Sequence, residues 1–309
     1  MTILRTALLR ASESRWLATQ LPRWPFARRA VRKFMPGETL AAALDAAAEL
    51  AREGVGTIVT ELGENVTTLE QAEAEARSYR ATIDEIARRG LTSEPSIKLT
   101  HLGLDLRRDA CETLALELAA YAAQKNSFLW IDMEGSAYTG VTIEIFRKVH
   151  ARVPRVGLAL QAYLRRTPED LTALLPLDPA IRIVKGAYAE PVAVAFASKR
   201  EVDLQYLTLA RAMLEAKAAG RPVRLVCGTH DLPLIERIQG AAGAFGLARD
   251  TWEVHMLYGI RTPELRQLAS AGHVTRVLIS FGSAWFAWYM RRLAERPANV
   301  LFAVRSLVG

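Results

Sequence analysis

The sequence predicts an α/β protein, a distorted (β/α)8 barrel of the TIM type, and three observations carry that prediction. Short apolar runs recur eight times, the spacers between them are rich in helix formers, and the breakers fall between elements. The runs are Thr57 to Val59, Ile97 to Leu99, Phe128 to Ile131, Val156 to Leu160, Ile181 to Val184, Val223 to Val226, Trp252 to Val254 and Val274 to Ile279. Spacers such as Leu69 to Arg89, Cys111 to Lys125 and Lys199 to Ala219 consist mainly of Ala, Leu, Glu and Arg, which favour helix. Thr39 to Arg52 reads as an extra helix before the first strand, and Pro154, Pro176, Pro179, Pro191 and Pro222 lie between elements. A doubly wound sheet is the alternative, but no glycine-rich dinucleotide fingerprint follows the first strand.

The chain has 309 residues, a length that α/β barrels reach as one domain, and half of them are hydrophobic. We divide it into a basic N-terminal arm, residues 1–33, and one barrel domain, residues 34–309. Forty Lys and Arg against 33 Asp and Glu give a net charge of +7, which suits acidic small molecules, nucleic acid or an anionic lipid surface without selecting one. Nucleic acid ranks last, because the aromatics fall on core positions. The arm carries Arg23, Arg28, Arg29, Arg32 and Lys33; it either docks on a membrane or stays solvated. It faintly resembles a transit peptide, but no stretch is long enough to cross a bilayer. Cys111 and Cys227 are far apart, Cys227 in an apolar run, so a structural disulfide is not expected and a reducing cytoplasm fits. The expected location is cytoplasmic, with peripheral contact at the inner face of the membrane.

Active sites of such barrels sit at the C-terminal ends of the strands, so polar residues where each run stops are the candidates. They are Lys98; Asp132, Met133 and Glu134; Gln161; Arg182 and Lys185 to Tyr188; Gly228 to Asp231; and His255 to Gly259. Alternation puts Arg182 and Lys185 on opposite faces unless the chain bends, and Gly186-Ala187 leaves room for a ligand beside the backbone. Buried cations need anions; Asp132 and Glu134 would serve some, a phosphorylated cofactor and a carboxylate substrate the rest. Lys98 is either the ion-pair partner of Asp132 or a ligand contact. Lys185 binds phosphate or, in a lyase, forms a Schiff base, and His230 caps, packs or binds. Metal is not expected, since the five histidines show no paired ligand spacing, and Asp132 with Glu134 are too close in sequence for a glycosidase pair. Near the chain end, Arg291 and Arg292 follow an apolar face formed by Trp285, Trp288 and Tyr289. They either pair with Glu295, four residues after Arg291, on a surface helix or hold an anion.

In order and spacing, Ser96-Ile97-Lys98-Leu99, Ile131-Asp132-Met133-Glu134, Gln161-Ala162-Tyr163, Arg182-Ile183-Val184-Lys185-Gly186-Ala187-Tyr188, Gly228-Thr229-His230-Asp231, Met256-Leu257-Tyr258-Gly259 and the Arg291-Arg292 segment resemble the proline dehydrogenase family, as does Leu62-Gly63-Glu64. The resemblance spans Phe34 to Asn299. It implies an FAD-dependent oxidation of L-proline to 1-pyrroline-5-carboxylate, with the last helix over the barrel top. It further implies Asp132 and Arg182 as catalytic residues, and Lys98, Arg291, Arg292, Tyr188, Leu257, Leu278 and Trp288 at the substrate. Met133, Gln161, Arg182, Lys185, Gly186, Ala187, Thr229, His230 and Glu295 would hold FAD. A quinone would take the electrons, and a separate dehydrogenase would carry out the next oxidation. The chain departs from the family pattern at Ala189, at Leu278 to Phe281, at Trp288 and at Gly228 to Asp231. These departures bear on the substrate, and hydroxyproline, pipecolate or another cyclic amino acid is the alternative. A non-catalytic amino-acid-binding barrel is the alternative of another class.

Overall fold

In a computed structural model, which describes residues 14, 16, 20, 24, 31–63, 65–286 and 288–290, eight parallel strands close a barrel in sequence order. They are β1 (Gly56–Glu61), β2 (Ser93–Ile97), β3 (Leu129–Ile131), β4 (Val156–Gln161), β5 (Ala180–Val184), β6 (Arg224–Gly228), β7 (Glu253–Leu257) and β8 (Val274–Phe281). Closure is made by β1 on β8, with Ile58 opposite Leu278 and Thr60 opposite Ser280. The predicted extra helix is α1 (Leu40–Arg52), started by Thr39, whose hydroxyl accepts from Ala42 N. Around the barrel follow α2 (Leu69–Arg88), α3 (Arg108–Gln124), α4 (Thr139–His150), α5 (Thr167–Leu174), α6 (Lys199–Ala218), α7 (Leu232–Ala244) and α8 (Thr262–Ser270). Residues 285, 286 and 288–290 are helical after β8.

Two of the predicted strands are displaced. The second runs Ser93–Ile97, not Ile97 to Leu99, so Lys98 stands just past its end. Pro95 is tolerated because it lies opposite Val59 in a short strand whose inward positions are Glu94 and Ser96. The seventh continues to Leu257, through residues that the sequence places in its terminal loop.

Period-two alternation explains both shifts. Outward residues such as Val59, Ile97, Ile131, Leu158, Ile183, Cys227, Val254 and Ile279 join the helices in the main core. Inward residues are of two kinds: a small apolar cluster with Ile58, Trp130, Ala180 and Val226, and a set of charges. Arg224 pairs with Glu94 (2.9 Å) and Glu253 (2.6 Å), and Arg276 with the same two glutamates at 3.1 Å each. Cys111 and Cys227 are buried free thiols.

A third cluster lies apart from the barrel core and joins Val31, Phe34 and Met35 to Leu62, Ile260 and the final helical residues Trp285, Phe286, Trp288, Tyr289 and Met290. Glu38 ties this cap down: its carbonyl accepts from Gly282 N at 2.9 Å and its carboxylate from Trp285 Nε1 at 3.1 Å. Gly259, at φ +72°, lets the chain pass; a Cβ there would lie 1.6 Å from Lys33 O.

Candidate active site

Arg182 on β5 is 3% exposed and points into the barrel, as alternation requires. Its Nη2 donates to Asp132, just past β3, and to Ser96 Oγ at 3.0 Å. Ser96 Oγ also donates to Asp132 Oδ1 at 2.9 Å. Asp132, not Glu134, is therefore the anion that meets Arg182. Burial lowers the Arg182 pKa, and the Asp132 charge opposes that shift.

Lys98 is buried, and its Nζ reaches Glu61 O at 3.4 Å. The ion pair with Asp132 considered above is replaced by this carbonyl, because Lys98 stands past the strand end and the Asp132 oxygen is taken by Arg182 and Ser96. Glu134 turns away from the interior arginines: its two oxygens accept from Thr100 N (3.1 Å) and Thr100 Oγ1 (2.5 Å). The interior Arg224 and Arg276 are met by Glu94 and Glu253, at the N-terminal end of the barrel.

Gln161 ends β4, is 3% exposed, and donates through Nε2 to Met133 O at 3.4 Å. The Met133 side chain packs in the main core, so this residue turns its backbone to Gln161. Lys185 points outward to α6 and α7, where Asp203 (2.5 Å) and Asp231 (2.7 Å) hold it beside Lys199. Its Nζ is engaged by two carboxylates and turned away from the barrel interior, so the geometry speaks against a Schiff-base role. Burial works to raise the Asp231 pKa, but hydrogen bonds from Lys185 and Lys199 hold it well below the usual range.

Gly186 has φ +109°, and a Cβ on it would lie 2.2 Å from Tyr163 Cδ1. The space expected there for a ligand is thus taken by the Tyr163 ring. Ala187 and Tyr188 follow, half-buried. Thr229 is buried and its hydroxyl accepts from Asp231 N at 3.2 Å; His230 Nε2 accepts from Leu257 N at 2.9 Å, fixing the end of β7. Leu278 lies in β8 against the inner apolar cluster, whereas Leu257 and Trp288 pack in the cap. Gly63 of the Leu62-Gly63-Glu64 motif lies against His101, since a Cβ would come 2.3 Å from Nε2. Glu64, Arg291, Arg292 and Glu295 lie outside the described residues.

Glu94, Trp130, Arg224, Glu253 and Arg276, which support the site from within the barrel, are not among the site residues that the sequence singles out; His255, a strand-end candidate, joins them there. Their signal is charge at every second strand position, as in Glu253 and His255, which a search for apolar runs discards. Burial first, despite the adjoining Glu253, pushes His255 down to about 3.

Among the buried atoms without a partner are Arg182 Nη1, a donor, and Gln161 Oε1, an acceptor. They come from adjacent strands, in which Arg182 stands opposite Ala159 and Val184 opposite Gln161. A buried donor and acceptor left open call for a bound polar group. The pyrimidine edge and N5 of a flavin offer that complement, so the residues present fit FAD.

A closed parallel barrel with Lys98, Asp132, Thr229 and His230 just past its strand ends places the chain in the (β/α)8 class, whose active sites lie at that end. The sequence model of the proline dehydrogenase family matches residues 43–305. Proline dehydrogenase 1 of Bacillus subtilis subsp. natto is 34% identical over 281 residues, 91% of each chain. The proline dehydrogenase of Deinococcus radiodurans is 33% identical over 281 residues, 89% of each chain. Proline utilization A (PutA) from Bdellovibrio bacteriovorus, solved after inactivation by N-propargylglycine, shares the fold with a TM-score of 0.81 at 20% identity. That match covers 87% of this chain, which spans about a third (33%) of the PutA chain. The chain belongs to the proline dehydrogenase family and is an oxidoreductase of that kind. Among the described residues no helix is long and apolar enough to cross a membrane.

Proposed function

We propose that this enzyme oxidises L-proline to 1-pyrroline-5-carboxylate with FAD as its resident cofactor and a quinone as final acceptor. The observation that carries the reading is the unpartnered Arg182 Nη1 and the unpartnered Gln161 Oε1 on neighbouring strands, in a chain of this family. Bound FAD supplies a two-electron acceptor at N5. Proline would bind with its ring nitrogen unprotonated; the two-electron loss of a hydride from C5 to the flavin, as the nitrogen lone pair forms the C5=N bond, and of the amine proton to base or water, would complete the oxidation.

The protein's part is placement and charge. Lys98, together with Arg291 and Arg292, would hold the carboxylate; guanidinium forks match it and turn the ring. Arg182 would favour the electron density that arrives at N5, with Asp132 holding it in place. Gln161 would hold the pyrimidine edge, and Met133, Lys185 to Ala187, Thr229, His230 and Glu295 the remainder of the cofactor. Tyr188, Leu257, Leu278 and Trp288 would shape the substrate pocket. Peripheral docking on a membrane by the basic arm would bring the site to its quinone.

The visible spectrum of the purified protein, before and after anaerobic L-proline, tests this. Flavin bands that bleach support the reading. Flavin that stays oxidised with proline but bleaches with hydroxyproline or pipecolate changes the substrate, and a colourless protein that cannot be reconstituted with FAD refutes the reading. Arg291→Met and Arg292→Met should weaken substrate binding while flavin is retained.

A further inference from the structure

Arg182 meets Asp132 through Nη2 alone. Guanidinium and carboxylate prefer a two-point fork, so a one-point contact that leaves Nη1 open needs an explanation. One lies deeper in the barrel: the Arg182 guanidinium carbon is 4.8 Å from the ring centroid of Trp130, and the indole is wholly buried. Trp130 Nε1 donates to Glu94 Oε2 at 2.6 Å, its ring is 5.1 Å from the Arg224 guanidinium, and His255 meets it edge-on at 6.1 Å. Gly157, opposite Trp130 on β4, makes the space; a Cβ there would lie 2.5 Å from Trp130 Cζ3.

We propose that Trp130 is a positioning residue for Arg182: its π face holds the guanidinium flat and keeps it from closing a fork on Asp132, so that Nη1 stays open to the cofactor. The inference rests on the function proposed above. A cation over an indole face is attracted most strongly where water is excluded, as here. Trp130 acts on the reaction through Arg182, and the anchored indole transmits the rigidity of the barrel floor to the site.

The test is Trp130→Leu in the flavin-loaded enzyme. Flavin reduction by proline should slow about tenfold or more, and the midpoint potential of the bound flavin should fall. Flavin content and the Kd of a competitive carboxylate inhibitor should change less than about twofold, because neither depends on Arg182 Nη1 alone. Trp130→Phe, which keeps an aromatic face, should recover most of the rate. In an Arg182→Met background the Trp130 change should move neither potential nor rate further. If Trp130→Leu does not fold, Gly157→Ala presses on the same ring and carries the same expectation. Unchanged potential and rate in a folded, flavin-loaded variant overturn the proposal, as does an equal effect with and without Arg182. A wild type that binds no flavin sinks the function first and this inference with it; one that is reduced normally while the variants behave like it sinks the inference alone.

Discussion

Glu94→Gln should lower stability by about 2 kcal/mol, for reasons confined to the barrel floor. Glu94 is 8% exposed; it accepts from Trp130 Nε1 and from Arg224 Nη2 and pairs with Arg276 at 3.1 Å. With Glu253 it sets two carboxylates against two guanidiniums. The amide keeps the volume and an acceptor for the indole but removes one charge, leaving both arginines on Glu253. Breaking a fully buried pair costs roughly 3–5 kcal/mol. Arg224 and Arg276 keep 23% and 16% of their side chains exposed, so water recovers part of that. At roughly 2–4 °C per kcal/mol for a large domain, the melting temperature should fall by about 4–8 °C. Calorimetry on the single variant and on Glu94→Gln with Arg224→Met decides the matter. The second change removes the surplus cation and should restore at least half the loss. A single variant within about 1 °C of wild type, or a double variant showing the full sum of two losses, would refute the reasoning.

Gly186→Ala must displace the Tyr163 ring and strain a φ of +109°; absorbance ratios should show flavin content below half, with a loss of about 2 kcal/mol in urea unfolding. His255 is held near about 3, below its unfolded value of about 6.5. The unfolded chain binds the extra proton, so stability is whole above pH of about 6.5 and falls towards about 3 by up to ~1.4 kcal/mol per unit. His255→Gln should flatten that slope in urea midpoints measured against pH. Gly259→Ala cannot keep a Cβ 1.6 Å from Lys33 O; residues 31–35 should lift, and trypsin should cut faster after Arg32 or Lys33 while the barrel melts nearly as before.

The outward half of each strand was legible because helices cover it with apolar side chains. The Ala- and Leu-rich spacers likewise gave α2 and α6 nearly to the residue, and Gln161 and Gly228 stand at the strand ends where they were expected. What could not be read was the inward half. Ser93-Glu94-Pro95-Ser96 looks like a loop until the barrel closes and supplies Arg224 and Arg276, from strands more than a hundred residues away, as partners. In the site, Arg182 could be read as inward from alternation alone, whereas the Asp132 partner depended on where β2 ends. That the Tyr163 ring fills the space beside Gly186 was not legible, because Tyr163 comes from just past β4 and only the closed barrel brings it there.

The cap joins Phe34 and Met35 to Trp285 and Tyr289, residues made at opposite ends of synthesis. Strand β1 likewise waits for β8 before its edge is paired. Both closures must therefore wait until residues 274–290 have been made: during translation the charged interior stays open to water until β8 pairs with β1, and residues 31–35 lack their apolar partners until Trp285 to Met290 emerge. A nascent chain stalled before residue 285 would leave the apolar side of Val31, Phe34 and Met35 without Trp285, Phe286 and Tyr289, exposed to chaperones and proteases.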